Sequence, residues 1–459
     1  MVPISCRQLD ATLSCRVHAS KLAIVYLPTA SLKLNPRNPR VHSTKQIRQI
    51  SESLKAFGFN VPVLVDGSSQ VMSGYGRVEA AKLAGFTEVP TIRLEHLTET
   101  QAKAFIIADN KLTENSSWDD RLLAEQLKSL SEVELDFSLE ATGFEMAEID
   151  IAIEGIAPSI GVSDAGDAVP QLENAVRVCR NGDLWMLGGH RIYCGDAREA
   201  DSFSTLMDTC RAAAVFTDPP FNVKIAGHAS GLGAIRHGNF QMACGEMSEA
   251  DFTAFLAQVF GLLASRSVDG SLHYIFMDWR HLRELLAAGK QVYTELKNLC
   301  VWVKDNGGMG SLYRSQHELV LVFKNGNNSH RNNVQLGQYG RYRTNVWSYP
   351  GANSFSRSTE EGNLLELHPT VKPVALVADA IMDCTARNDI ILDSFLGSGT
   401  TVIAAERTGR VCFGIEIDPL YVDTIVRRWQ AFTGLTAMHA VSGRTFSDME
   451  QEGAAHGQQ

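Results

Sequence analysis

Two short apolar segments each lead directly into a turn of unusual composition, and this arrangement constrains the fold more than any other feature of the chain. Residues 212–216 precede a Thr-Asp-Pro-Pro-Phe turn at 217–221, and residues 389–392 precede a glycine-rich turn at 393–401 that continues into a helix. A third apolar segment, 411–415, follows that helix. Strands that alternate with helices in this way predict an α/β domain with a sheet of parallel strands.

The glycine-rich turn has features of a nucleoside site. Gly397 and Gly399 permit close approach to the backbone, and the amides at the start of the helix attract polar groups. No Lys follows the glycines, as a phosphate-binding loop requires, and the third glycine of the dinucleotide fingerprint is absent. Glu416, at the end of the next strand, suits the hydroxyl groups of an unphosphorylated ribose. A turn with a purely structural role is the alternative.

The turn at 217–221 offers two hydrogen-bond acceptors beside a flat ring. Its two prolines fix the backbone, so that the carbonyl of Pro219 points in a set direction. Asp218 adds a second acceptor, and Phe221 adds a stacking face. An exocyclic amino group on a planar base requires this combination, whereas a rigid turn with a core phenylalanine is the alternative.

Both turns together resemble motifs of the S-adenosylmethionine-dependent DNA amino-methyltransferases. Because the Asp-Pro-Pro-Phe motif precedes the Phe-x-Gly-x-Gly-Thr motif, the resemblance is to the permuted β group of that family. It implies a Rossmann-like sheet of seven strands, S-adenosylmethionine as the cofactor and no metal. It also implies catalytic roles for Asp218, Pro219, Pro220 and Phe221, although tyrosine is commoner than phenylalanine at the last position. The cofactor residues that it implies are Asp196, Lys372, Pro373, Asp393, Phe395, Gly397, Gly399, Thr400 and Glu416.

The identity of residue 218 bears on which amine is methylated. In the family an aspartate here is typical of adenine N6, whereas enzymes for cytosine N4 usually carry serine. We therefore expect methylation of adenine N6 in duplex DNA, with the target base flipped out of the helix. Cytosine N4 and RNA adenine are the alternatives. Methylation of cytosine C5 is excluded, because the chain has no Pro-Cys sequence to supply its nucleophile.

A segment at 325–367 is the predicted target-recognition region. Residues 325–359 contain seven asparagines, several aromatic residues and no acidic residue, and the family places target recognition here. Arginine and asparagine can bond base edges, and cations neutralise phosphates. The loop at 222–246 is a second candidate. The predicted DNA-binding residues are Lys224, Arg236, Arg331, Arg341, Arg343 and Arg357.

The amino-terminal part, residues 22–115, contains an Asn-Pro-x-x-Pro-Arg stretch at 35–40, an apolar strand at 62–65 and a Gly-Tyr-Gly-Arg turn at 74–77. Together these segments resemble the ParB/sulfiredoxin superfamily. Gly74, Gly76 and Arg77 lie in a turn that opens a helix, where ParB-like proteins bind a nucleotide. The resemblance thus implies a CTP or ATP site, with a DNA-tethering or structural module as the alternative. Sulfiredoxin activity is not expected, because its cysteine is missing from the turn.

The two resemblances, together with charge and composition, predict five successive regions. A ParB/sulfiredoxin-like domain at 20–97 precedes an acidic helical extension at 98–155, since residues 98–156 hold 4 basic and 14 acidic residues. A linker at 156–174, the methyltransferase domain at 175–446 and a disordered tail at 447–459 follow. The acidic helices either pack against the ParB-like domain or set the geometry of a homodimer. A second interpretation of the whole chain is a ParB-like DNA-binding or segregation protein whose methyltransferase half is not catalytic.

Overall composition limits the setting. The chain has 459 residues and a formal net charge of −10, which argues against a protein that coats nucleic acid with its whole surface. Its nine cysteines include no C-x-x-C pair, and no apolar stretch approaches the roughly 20 residues of a membrane span. We therefore expect a cytoplasmic protein without a membrane segment.

Overall fold

The computed structural model describes residues 22–36, 38–156, 165–167, 176–223, 245–305, 307, 312–351 and 371–456. These residues belong to two compact units. The amino-terminal unit comprises Met1–Asp119 and Leu135–Phe144, and the carboxyl-terminal unit comprises Asp120–Glu134 and Glu145–Gln459. Within the described residues, every helix is too short or too polar to cross a membrane.

The amino-terminal unit is a small α+β fold. Its four strands lie in the order β1-β4-β2-β3, and its helices α1 and α2 pack against each other. Leu54 of α1, Val63 of β2 and Val78 of α2 share one apolar core. The elements are β1 (Ile24–Pro28), α1 (Thr44–Phe57), β2 (Val63–Val65), β3 (Val71–Ser73), α2 (Tyr75–Ala84), β4 (Glu88–Arg93) and α3 (Glu99–Glu114).

The carboxyl-terminal unit is built on one large sheet. Among the described residues ten strands pair in the order β11-β9-β10-β8-β7-β12-β13-β6-β5-β14. The strands are β5 (Leu184–Leu187), β6 (His190–Cys194), β7 (Ala212–Thr217), β8 (Ser267–Met277), β9 (Glu295–Val303), β10 (His317–Lys324), β11 (Val346–Ser348), β12 (Ile390–Asp393), β13 (Val411–Glu416) and β14 (Met438–His439).

Its central strands confirm the predicted Rossmann-like sheet. From β6 through β13, β12, β7, β8 and β10 to β9 there are seven strands, all parallel except β10. β11 extends this sheet at one side, and β5 with β14 extends it at the other. The carboxyl ends of the parallel strands therefore meet at one edge, which we call the carboxyl edge, and ligand sites of open α/β sheets lie at such an edge.

Helices of the carboxyl-terminal unit pack against this sheet, and both faces of the sheet are apolar. Val320 and Val322 of β10 belong to one core cluster, and the alternate residues Leu319 and Leu321 belong to the other. The helices are α4 (Asp120–Ser131), α5 (Met146–Gly155), α6 (Ala200–Met207), α7 (Glu249–Ser265), α8 (Leu282–Val292), α9 (Val374–Met382), α10 (Thr400–Thr408), α11 (Pro419–Thr433) and α12 (Phe446–His456).

The predicted acidic extension at 98–155 is divided between the two units. α3 lies in the amino-terminal unit, whereas α4 and α5 lie in the carboxyl-terminal unit. Asp150 of α5 is 1% exposed, and its carboxylate accepts hydrogen bonds from Arg410 at 2.9 and 2.8 Å and from Arg387 at 3.1 Å. Arg410 directly precedes β13, so α5 is part of the methyltransferase core.

Two further predictions of disorder or flexibility differ from the structure. Within the predicted linker, Asp167 accepts a hydrogen bond from the amide of Val374 at 2.8 Å and so caps α9. The predicted disordered tail contains most of α12. Phe446 at the start of this helix is fully buried beside Trp185, and Glu450 pairs with Arg427 at 2.7 Å. Phe446 anchors the helix to the core. The residues after Phe446 are mostly polar, and their composition does not reveal this contact.

Candidate active site

The two turn motifs meet at the carboxyl edge. β7 and β12 are parallel neighbours, and the turn that follows each strand starts at this edge. Thr217 donates a hydrogen bond to Asp393 at 2.9 Å, and Thr401 donates to the other oxygen of Asp393 at 2.6 Å. Burial raises the pKa of Asp393 to about 6. Asp393, a predicted cofactor residue, therefore joins the two turns through its side chain.

The glycine-rich turn has the backbone conformation that its glycines allow. Gly397 and Gly399 have φ of 53° and 82°, in the left-handed region, and Gly399 is the residue before α10. A Cβ atom at Gly399 would lie 2.9 Å from the side chain of Ile425. Phe395 packs near Phe255, with ring centres 6.2 Å apart. The turn thus places the backbone of Gly399 against a helix with no room for a side chain.

Glu416 lies beside this turn at the end of β13. Its carboxylate accepts hydrogen bonds from the amides of Gly397 at 2.8 Å and Asp418 at 3.0 Å, and burial raises its pKa to about 7. The amide of Gly195 donates to the carbonyl of Glu416 at 2.9 Å, which brings Asp196 to the same edge. Burial opposes the ionisation of Asp196, but hydrogen bonds from Arg198 lower its pKa.

The two carboxylate oxygens of Asp218 differ in their hydrogen bonding. Its Oδ2 accepts a hydrogen bond from Lys372 Nζ at 2.6 Å, whereas its Oδ1 is buried and has no hydrogen-bond donor among the described residues. Burial raises the pKa of Asp218 to about 6, while Lys372 acts in the opposite direction. Pro219 is buried and Phe221 packs against both core clusters. Lys372, a predicted cofactor residue, therefore contacts the predicted catalytic carboxylate.

Two charged residues of this site were not predicted from the sequence. Glu318, at the start of β10, lies 2.9 Å from Lys372 and 2.5 Å from Lys304. Although burial opposes its ionisation, these two lysines hold the pKa of Glu318 at about 2. The available signal was an acidic residue at the beginning of a strongly apolar strand, residues 319–323.

Asn222 is a third residue that sequence reasoning missed. It is buried directly after Phe221, with φ of 52°. Its side-chain oxygen accepts from the amide of Gly245 at 3.0 Å, and its side-chain nitrogen donates to the carbonyl of Met247 at 2.9 Å. Asn222 therefore fixes the chain immediately after the stacking ring of Phe221.

The structure corrects two of the predicted DNA contacts. Arg341 donates to Asp383 at 2.8 Å and pairs with Asp379 at 3.2 Å, and Arg343 pairs with both carboxylates at 3.1 and 3.2 Å. Arg341 is 7% exposed. Both guanidinium groups are occupied by acidic residues of α9 and the residue after it, so the prediction that they bind DNA is wrong.

Strand direction explains this error. β10 is antiparallel to β8, and so residues 325–345 begin at the edge opposite to Asp218. Several polar side chains there satisfy backbone groups: Asn325 donates to Ala264 at 3.1 Å, and Asn333 donates to Met382 at 2.7 Å. Arg331 is exposed in the same segment. Lys224, Arg236 and Arg357 lie outside the described residues, and their DNA contacts stay predictions.

The predicted nucleotide turn of the amino-terminal unit is formed as expected at the start of α2. Gly74 precedes the helix with φ of 97°, and a Cβ atom there would lie 3.0 Å from the guanidinium of Arg77. Gly76 is buried against the ring of His42. The Nε of Arg77 is buried, and no described residue accepts its hydrogen bond. Nucleotide binding at this turn stays a prediction.

Comparison with known families agrees with this arrangement. Residues 212–427 match the family described as DNA methylase, which groups N6 and N4 enzymes. Residues 121–181 match a ParB-methyltransferase HTH domain, and residues 15–111 match the ParB N-terminal domain. The HTH match includes α4 and α5.

Individual proteins resemble separate parts of the chain. The ParB-like nuclease domain-containing protein YnaK of Escherichia coli (strain K12) is 43% identical over 83 residues, which are 18% of this chain and 95% of YnaK. The type II methyltransferase M.ScaI of Streptomyces caespitosus is 37% identical over 99 residues, 21% of this chain and only 32% of M.ScaI. The crystal structure of the M1.HpyAVI-SAM complex aligns with 52% of this chain and 98% of its own, at 23% identity and a TM-score of 0.36.

The family match over residues 212–427 identifies the carboxyl-terminal unit as a DNA methyltransferase of the N6/N4 class. With the two ParB-related matches that precede it, the chain joins a ParB-like amino-terminal part to a DNA methyltransferase part. The family resemblance inferred from the two turn motifs and from the amino-terminal turn is thereby confirmed.

Proposed function

We propose that this chain transfers the methyl group of S-adenosylmethionine to the N6 amino group of adenine in duplex DNA. The observation that carries the proposal is the Oδ1 atom of Asp218, which is buried and has no donor among the described residues. Pro219 and Phe221 follow it directly. The choice of adenine depends on the aspartate itself, which the family resemblance associates with N6 chemistry.

The residues after β7 account for the reaction. The target base leaves the duplex and stacks on Phe221. Asp218 Oδ1 and the carbonyl of Pro219 accept the two amino hydrogens, which draws the nitrogen toward a tetrahedral geometry and exposes its lone pair. The carboxylate also stabilises the positive charge that develops on the nitrogen as the new bond forms. Orientation and electrostatic stabilisation then supply the rate enhancement.

Residues near the glycine-rich turn fit S-adenosylmethionine, which when bound supplies an electrophilic methyl group. Gly397 and Gly399 give the turn its left-handed backbone conformation, which a side chain would strain. Each carboxylate oxygen of Glu416 accepts one backbone amide and keeps a further lone pair for a ribose hydroxyl. These three residues would hold the cofactor, together with Phe395 and Thr400 of the same turn, and the family resemblance adds Asp196 as the residue for its adenine.

Gly399→Ala is expected to weaken cofactor binding on the order of tenfold and to destabilise the chain by about 1–3 kcal/mol. Alanine is disfavoured at φ of 82°, and its Cβ would also press on Ile425 at 2.9 Å. Calorimetric titration with S-adenosylmethionine and thermal unfolding measure the two effects.

Gly434→Ala is the matched control for this substitution. Gly434 has φ of 72° after α11, but a Cβ atom there meets nothing within 4 Å. The Gly434→Ala variant should lose about 1 kcal/mol of unfolding free energy, from the backbone conformation alone, and its affinity for the cofactor should not change. Equal affinities for the cofactor in both variants would contradict the proposed role of the turn.

Modification-sensitive sequencing of DNA from a methylation-deficient host that expresses this chain tests the proposed function. N6-methyladenine at one recurrent short motif is the expected result, and an Asp218→Asn control should sharply lower the modified fraction of those sites. N4-methylcytosine would overturn the choice of adenine. Unmodified DNA from folded protein that binds S-adenosylmethionine would overturn the proposed substrate.

A further inference from the structure

Asp218 is one end of a row of four charged side chains that alternate in sign. Lys372 lies 2.6 Å from Asp218, Glu318 lies 2.9 Å from Lys372, and Lys304 lies 2.5 Å from Glu318. The side chains of Lys372 and Glu318 are 6% and 9% exposed, and Lys304 at the far end is 27% exposed. We call these four residues the charge chain.

Each member of the charge chain comes from a different part of the sheet. Asp218 follows β7, Lys304 follows β9, Glu318 is the second residue of β10, and Lys372 lies two residues before α9. Their formal charges cancel. Isolated charges in such a buried place are costly, whereas the alternation of neighbouring charges offsets that cost.

The ammonium group of Lys372 is held from several sides. It lies 4.9 Å from the ring centre of Phe276 and 5.7 Å from those of Phe221 and Trp302. Glu318 pairs with the same ammonium group. Lys372 therefore connects the carboxylate that would accept the target amine with the ring on which the base would stack.

We infer that Glu318 and Lys304 are positioning residues for methyl transfer, which act through Lys372 to hold the carboxylate of Asp218 with Oδ1 directed at the target amine. This inference rests on the proposed function. Without Glu318, Lys372 loses the partner that fixes it opposite Asp218. Without Lys304, Glu318 competes more strongly for Lys372.

The two positioning residues act on Asp218 with opposite signs. Glu318 raises the pKa of Asp218, and Lys304 and Lys372 lower it, within the overall rise to about 6 that burial causes. Asp393 on the neighbouring strand is a further acidic group close to Asp218. Since Asp218 must be ionised to accept amine hydrogens, the transfer rate should rise with pH through this pKa.

Single-turnover methylation of a duplex substrate by the full chain, followed between about pH 5 and 9, tests the inference. Glu318→Gln should move the acid limb of the rate profile about 0.5–1 pH unit lower, and Lys304→Met should move it higher by a similar amount. Glu318→Gln should also lower the plateau rate on the order of tenfold. Lys304→Arg keeps the charge and should restore the wild-type limb.

Glu295→Gln serves as the control, because Glu295 pairs with Lys297 on β9 outside the charge chain. The inference is overturned if the acid limbs of Glu318→Gln and Lys304→Met coincide with the wild-type limb. It is also overturned if both limbs move in the same direction. If Glu318→Gln does not fold, the Lys304→Met and Lys304→Arg pair decides alone. Absence of methylation by the wild-type chain would instead refute the proposed function.

Discussion

Asp218→Asn is expected to slow methyl transfer on the order of 10²- to 10³-fold while cofactor affinity is retained. Asparagine keeps the size of the side chain but removes the negative charge that stabilises the developing cation. It also leaves the buried ammonium of Lys372 opposite a neutral amide. Single-turnover transfer from labelled S-adenosylmethionine, together with its dissociation constant, measures both quantities.

Asp278→Asn is the matched control for this prediction. Asp278 follows β8 as Asp218 follows β7, but its carboxylate is occupied by Arg280 at 3.0 Å. We expect this variant to transfer methyl groups within a few-fold of the wild-type rate. A wild-type rate in Asp218→Asn would show that another group accepts the target amine.

Asp150→Ala is expected to lower the free energy of unfolding of the carboxyl-terminal unit by about 3–5 kcal/mol. The substitution leaves Arg410, which is fully buried, without a carboxylate partner, and it also removes the partner of Arg387. Denaturant unfolding followed by tryptophan fluorescence measures the loss, because Trp185, Trp302 and Trp429 are buried in this unit.

Glu125→Ala provides the comparison for Asp150. Glu125 of α4 pairs with Arg121 at 3.2 Å, but both side chains are exposed. Exposed ion pairs of this kind contribute little, so its removal should cost below about 1 kcal/mol. If the two variants are equally stable, the Asp150–Arg410 pair does not hold α5 to the core.

The parts of the site that were predicted correctly are encoded locally. Asp218 and Gly399 each stand a few residues after an apolar strand, and parallel strands bring their carboxyl ends to the same edge. A short stretch of sequence was enough to place both turns, and the contact between Thr217 and Asp393 follows from the adjacent strands.

The errors concern pairings between distant segments. Arg341 and Arg343 have the composition expected of a DNA-binding segment, and their sequence neighbours contain no acidic residue. Their partners, Asp379 and Asp383, are one helical turn apart on and just after α9. The antiparallel direction of β10 leads this segment to the opposite edge of the sheet, toward these partners. Periodicity within one strand does not reveal the direction of its pairing.

Glu318 illustrates the same limit within the site. An acidic residue beside an apolar strand predicts a strand end at the surface, but here it is buried between Lys304 and Lys372. These partners lie 14 and 54 residues away along the chain. Their convergence depends on the order of strands in the sheet.

The burial of Asp150 also restricts how such a chain can be recombined. A methyltransferase cassette that began at residue 175, where sequence composition places its boundary, would leave Arg410 buried with an uncompensated charge. A cassette that also included α5 would contain Asp150, the counter-ion of Arg410. Exchange of amino-terminal modules among related enzymes should therefore occur ahead of α5, and this helix should be inherited together with the catalytic core.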